Sequence, residues 1–136
     1  MISASPARCP AWSRKVAKRV IAVDDSKTMR DMVSITLRRA GFEVTVAEDG
    51  QKALSVLHGV QIDLVITDLN MPNLDGISLI RALRADPRHR VVPILMLTTE
   101  QDPARKAEGR AAGATGWLTK PFDPDKLVEL AHRVCA

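Results

Sequence analysis

From Arg19 onward, short apolar runs alternate with longer segments whose apolar residues recur three and four positions apart. The runs "RVIAV" (19–23), "FEVTV" (42–46), "DLVIT" (63–67), "PILML" (93–97) and "TGWL" (115–118) are β-branched or apolar and bounded by turn residues, which predicts five strands. Between them, Met29, Val33 and Leu37, then Ala53, Leu54 and Leu57, then Ile77, Ile80 and Leu83, and last Leu127, Leu130, Ala131 and Val134 have helical spacing. Asp102-Pro103 and Asp123-Pro124 each offer a capping residue followed by proline at the first helical position. The fourth helix, about Pro103 to Ala112, is expected to turn mainly alanines inward and contains Gly109, so it should be weakly held. Strict alternation of strand and helix predicts an α/β fold, a doubly wound parallel sheet with helices on both faces and right-handed crossovers. No internal repeat or low-complexity segment interrupts the pattern.

Composition narrows the core. The chain has 136 residues, 46% of them hydrophobic, with two Phe, two Trp and no Tyr, so an aliphatic core of one domain is expected. Cys9 and Cys135 lie near opposite termini without metal-ligand spacing and read as free thiols. No apolar stretch approaches the roughly 20 residues of a membrane span. The net charge of +4 suggests nucleic acid until it is divided along the chain. Arg8, Arg14, Lys15, Lys18 and Arg19 give the first 19 residues +5 without an acid, and the remainder carries 15 basic against 16 acidic side chains. Residues 1–18 therefore read as a basic, disordered extension before a domain over 19–136, and a transit peptide is the less plain reading. Neither nucleic acid nor membrane is an expected partner.

In a doubly wound sheet the loops after the strands emerge at one edge, where ligands bind. Asp24 and Asp25 end strand one, Asp68 ends strand three, Thr98 and Thr99 end strand four, and Lys120 ends strand five. Each has a plainer role when taken alone: a helix cap at Asp25 or Ser26, a turn hydroxyl at Thr98, a solvated charge at Lys120. Together, three carboxylates repel one another unless a cation intervenes. A hard divalent ion answers that, and magnesium typically takes one or two carboxylates, waters and a phosphate. One carboxylate can then act as a nucleophile and form an aspartyl phosphate, with Lys120 and the Thr98 hydroxyl on its phosphoryl oxygens.

The stretches "AVDDSKTMR" (22–30), "TDLNMPNLDG" (67–76), "ILMLTTE" (94–100) and "GATGWLTKPF" (113–122) resemble the receiver domain of two-component response regulators, particularly single-domain chemotaxis regulators of the CheY type. The resemblance spans about Arg19 to Cys135. It implies the strand order 2-1-3-4-5, Asp68 as acceptor of a phosphoryl group from a sensor histidine kinase, and magnesium held by Asp25, Asp68 and the Asn70 carbonyl. Asp24 would reach the metal through water, and the Lys120-Pro121 bond would be cis. Strand two would lie at the far edge, leaving Glu48 and Asp49 as caps. Asn70 and Glu100 would tune dephosphorylation, and Thr98 and Trp117 would form the switch. Trp117 stands where relatives usually carry a Tyr or another inward-swinging aromatic, and Leu69 replaces a Trp of the best-known chemotaxis relatives.

The pattern takes up residues 19–136, so output is expected from binding rather than from an effector domain. The implied partner face runs over helix four, strand five and helix five and includes Arg105, Lys106, Arg110, Trp117 and Lys126, which suit a short acidic or amphipathic peptide. Three function classes follow. The first is a monomeric cytoplasmic switch for a flagellar motor protein, with a kinase and a phosphatase as further partners. The second is a phosphate shuttle or sink. The third is a magnesium phosphatase with an aspartyl nucleophile, disfavoured because such enzymes place an acid two residues after the nucleophile, where this chain has Asn70. A turnover enzyme is therefore not expected. A flavin-binding protein of the same fold class is weaker still, since the first loop is acidic where a phosphate needs glycine and hydroxyls.

Overall fold

The computed structural model describes residues 17–69, 71, 73–99 and 103–135. Five strands and five helices alternate: β1 (Arg19–Val23), α1 (Lys27–Arg39), β2 (Glu43–Ala47), α2 (Gly50–Leu57), β3 (Leu64–Thr67), α3 (Gly76–Ala85), β4 (Ile94–Thr98), α4 (Pro103–Ala112), β5 (Gly116–Thr119) and α5 (Pro124–Cys135). All pairings are parallel and the order is β2-β1-β3-β4-β5, as the alternation and the resemblance together imply. Strands two, four and five each run one residue beyond the end expected for them, ending at Ala47, Thr98 and Thr119. A strand's last paired residue is set by its neighbour's register, which apolarity alone does not reveal.

The central strands are buried on both faces, hence their continuous apolar runs. Successive residues of β1 then serve opposite cores. Ile21 and Val23 join Val65, Met96, Ala53 and Leu57 of α2, and Ile77, Ile80 and Leu83 of α3. Val20 and Ala22 join Leu64, Ile66, Leu95 and Leu97, with Val33 and Leu37 of α1 and Leu127 and Ala131 of α5. Each fully buried Leu or Ile contributes about 1.5–3 kcal/mol, so Leu37 and Ile80, both 0% exposed, anchor their helices strongly.

Helix starts follow local chemistry. The Ser26 hydroxyl caps α1 by accepting from the Met29 N–H at 3.3 Å, and Asp49 and Asp75 cap α2 and α3. The Asp123 carboxylate accepts from the Asp125 N–H at 2.9 Å at the start of α5, while Asp102 lies outside the described residues. Helix α4 departs from expectation. Ala104, Ala107 and Ala111 are exposed, and the inward positions are Gly109, buried, and Ala112, half-buried against the core. The reason is the indole of Trp117, which fills the space beneath the helix: a Cβ at Gly109 would lie 3.2 Å from its Cζ3.

Candidate metal and phosphoryl site

Four strand ends, those of β1, β3, β4 and β5, bring the site together. Within β1 and β3 the backbone is held by sheet hydrogen bonds that continue one residue further: Asp24 N–H donates to Ala47 O at 3.1 Å and Asp68 N–H to Val23 O at 2.9 Å. Both carboxylates thus start where their strands stop. Asp24, Asp25 and Asp68 each present an oxygen within 4.8 Å of the others. Asp24 and Asp68 are buried and Asp25 is exposed. The separate caps and turns that each residue could have served do not explain this convergence.

Lys120 lies among the carboxylates, its Nζ 2.6 Å from Asp24 Oδ2 and 3.2 Å from Asp68 Oδ2. Burial lowers its pKa, but the hydrogen bond to Asp24 and the charges of Asp68 and Asp24 outweigh that and hold it above the ordinary lysine value. The remaining oxygens meet backbone donors: Ser26 N–H to Asp24 Oδ1 at 2.8 Å, and Leu69 N–H to Asp68 Oδ1 at 2.7 Å. Leu69 itself is fully buried and belongs to the core. Thr98 ends β4, wholly buried, and its carbonyl accepts from the Lys120 N–H at 3.0 Å, whereas Thr99 is exposed. The Lys120-Pro121 peptide is cis. Asn70 and Glu100, assigned to metal binding and dephosphorylation, lie outside the described residues.

One functional neighbour escaped the sequence reading. Arg30 Nη1 donates to the Asp24 carbonyl at 2.8 Å, fixing the turn that carries Asp24 and Asp25. The signal was its spacing six residues after Asp24, one turn into α1. Glu48 and Asp49 are absent from the carboxylate cluster, as expected of strand two's far edge. Glu48 pairs with Lys52, and Asp49 accepts from the Lys52 N–H at 2.8 Å.

On the implied partner face, Arg110 and Lys126 are exposed, and Arg105 and Lys106 are half-buried. The Lys106 ammonium stands 5.6 Å from the Trp117 ring centroid, a cation–π distance. Arg105 meets Glu108 at 3.4 Å. Trp117 is half-buried, and its Nε1 is buried with no acceptor among the described residues. The indole is thus partly covered rather than exposed to solvent.

The donor set decides the metal class. All three candidate ligands are carboxylates, without thiol or imidazole, which suits magnesium rather than a softer ion.

The model of the response regulator receiver domain family matches residues 20–132, and the chain belongs to that family. It is 40% identical over 117 residues to the chemotaxis protein CheY of Pseudomonas aeruginosa, covering 85% of this chain and 94% of that one. It is equally identical over 111 residues to the DNA-binding response regulator MtrA of Mycobacterium tuberculosis, but there it spans 82% of itself and only 47% of the relative. Among solved structures, the Vibrio cholerae chemotaxis protein CheY4 superposes with a TM-score of 0.84 at 47% identity, covering 88% of this chain and 99% of that one. The receiver domain of the Pseudomonas aeruginosa sensor histidine kinase PA1611, with magnesium coordinated in its active-site cleft, gives 0.82 at 28% identity, covering 88% and 98%.

Proposed function

We propose that the protein is a phosphorylation-controlled switch in which Asp68 accepts a phosphoryl group from the phosphohistidine of a sensor kinase, with magnesium bound at Asp24, Asp25 and Asp68. The observation that carries this reading is the convergence of three carboxylates within 4.8 Å of one another, two of them, Asp24 and Asp68, paired with the ammonium of Lys120. Magnesium, when bound, supplies positive charge to the phosphoryl oxygens. The chain's own residues do the rest. The Leu69 N–H orients the Asp68 carboxylate, one oxygen of which forms the new P–O bond as the P–N bond of the donor breaks. Lys120 exchanges its contact with Asp68 for one to a phosphoryl oxygen, and Thr98 offers its hydroxyl to another. The protein assists its own phosphorylation and dephosphorylation and is not a turnover enzyme.

Output is assigned to binding through α4, β5 and α5, in chemotaxis, with a flagellar motor protein as the partner and the cytoplasm as the compartment. Support comes from the similarity to two chemotaxis proteins over nearly their whole lengths. Among the described residues no helix is long and apolar enough to cross a membrane.

Incubation with radiolabelled acetyl phosphate and magnesium should label the parent at an acid-stable, base-labile acyl phosphate. Asp68→Asn should fold and take up no label, because an amide is a poor nucleophile. Undiminished labelling of that variant would move the acceptor elsewhere.

A further inference from the structure

The loop that leaves Asp68 for α3 is fastened to a helix that gives the carboxylate cluster nothing. Asn73 in that loop has a φ of 69°, a left-handed backbone that no other non-glycine among the described residues adopts. Asn tolerates it better than most side chains. Its amide donates to Asp49 Oδ2 at 2.8 Å, while Asp49 Oδ1 accepts from the Lys52 N–H at 2.8 Å as the cap of α2. Asp49 is 5% exposed, so both oxygens are committed in a sheltered place. Next to it Gly50 gives the loop its room, since a Cβ there would lie 2.5 Å from the Leu74 carbonyl oxygen.

The near end of the loop is equally fixed. Leu69 N–H holds Asp68 Oδ1, Gly76 N–H donates to Leu69 O at 2.9 Å, and a Cβ at Gly76 would run into the Asp68 carbonyl. The Asp49 side chain therefore acts on a segment whose other end carries the proposed nucleophile and metal ligand.

We infer that Asp49 and Asn73 form a tie that positions the loop after Asp68 and thereby sets how tightly the carboxylate cluster holds a divalent cation. Both are positioning residues, and the inference rests on the magnesium reading above. A hard octahedral ion tolerates little ligand displacement, and residues supporting the ligands are known to govern affinity. The charge on Asp49 strengthens the tie, because a carboxylate acceptor makes a shorter and stronger bond than a neutral one.

Two variants cut the tie in different ways. Asn73→Gly keeps the left-handed backbone and removes the amide. Asp49→Ser keeps an N-cap hydroxyl but is too short to meet Asn73. Calorimetric titration with magnesium chloride should show each binding on the order of tenfold more weakly than the parent. The double variant should be no weaker than the singles, as expected of two residues acting through one contact. Asp49→Asn, which can pair with Asn73 once that amide is turned over, should stay within about twofold of the parent. Melting temperatures of all four variants separate positioning from simple destabilisation. Magnesium affinities equal to the parent's in Asn73→Gly and Asp49→Ser, beside lowered melting temperatures, would make the contact a structural fastening and overturn the inference. A parent that binds no magnesium would overturn the magnesium reading itself, and the tie with it.

Discussion

An ammonium between two carboxylates offsets part of their charge and at the same time occupies space that a metal or a phosphoryl oxygen would want. Lys120 holds that position with a side chain only 12% exposed. Removing it as Lys120→Met should leave Asp24 and Asp68 facing each other uncompensated, a loss on the order of 1–3 kcal/mol in metal-free buffer by chemical denaturation. Magnesium should restore more stability to this variant than to the parent, because it would replace the missing charge. Lys120 also fixes a pH dependence. A pKa raised on folding contributes stability that is complete below the unfolded value near 10.5 and disappears as pH climbs through the folded one. The Lys120 contribution should thus be flat across neutral pH and vanish in strong alkali. Asp49 behaves in the opposite sense. The Lys52 N–H, and after it the Asn73 amide, hold its carboxyl below the ordinary 3.8. Its stabilisation is present above that value and lost as pH falls through the folded one. The margin between parent and Asp49→Asn in urea unfolding should therefore be constant near neutrality and shrink below about pH 4. At this scale Asp24, Asp25, Asp68, Thr98 and Lys120 were legible because each stands where an apolar run stops. The Asp49–Asn73 contact was not, since it joins residues 24 apart whose individual chemistry reads as a cap and a turn.

Among the elements, α4 shows most clearly where pattern fails. Its span, about Pro103 to Ala112, was legible, but its facing was not, because a helix with alanines on several sides has no apolar stripe to read. The missing volume comes from a different element, the Trp117 indole of β5, seated against Gly109 and beneath the Lys106 ammonium. Replacing Gly109 with Ala sets about 1 kcal/mol of helix propensity against a contact of 3.2 Å with the ring. The ring is half-buried and can shift by a few tenths of an ångström, so net stability should change by less than about 1 kcal/mol. The indole should nevertheless move. In a Trp12→Phe background, which leaves Trp117 as the sole indole, Gly109→Ala should displace the emission maximum and increase quenching by acrylamide. Unaltered emission and quenching would mean that the notch does not seat the ring. Beryllofluoride with magnesium should also perturb this emission, starting from a partly covered ring rather than an exposed one.

For the whole molecule, the alternation of patterns was enough to give a parallel sheet, and the strand ends then gave the edge at which ligands gather. What stayed hidden were contacts between elements that no local pattern encodes, such as Arg84, whose guanidinium donates to the carbonyls of Gly113, His89 and Arg90 and so joins α3 to the end of α4 at the opposite edge of the sheet. Metal binding tests the molecule as a unit. Magnesium at a hundred times its dissociation constant should stabilise the fold by about 2.7 kcal/mol, a rise of roughly 10 °C in melting temperature for a domain of this size. Asp25→Ala should leave the metal-free melting temperature nearly unchanged, because Asp25 is exposed, and should diminish the magnesium-induced rise. An undiminished rise would place the ion away from Asp25.

Lys120 is separated from Asp24 by 96 residues and from Asp68 by 52, and that distance along the chain has a kinetic consequence. As the polypeptide emerges from the ribosome, the two acids are made long before the base that pairs with them. Until β5 docks, β1 and β3 must align with their terminal charges opposed, so the nascent sheet is electrostatically incomplete at the edge where the site will form. Cations in the surrounding solution can stand in for the absent lysine during that interval. Refolding from urea should consequently be accelerated by millimolar magnesium in the parent and scarcely at all in Asp24→Asn, where the opposition of charge has been removed in advance.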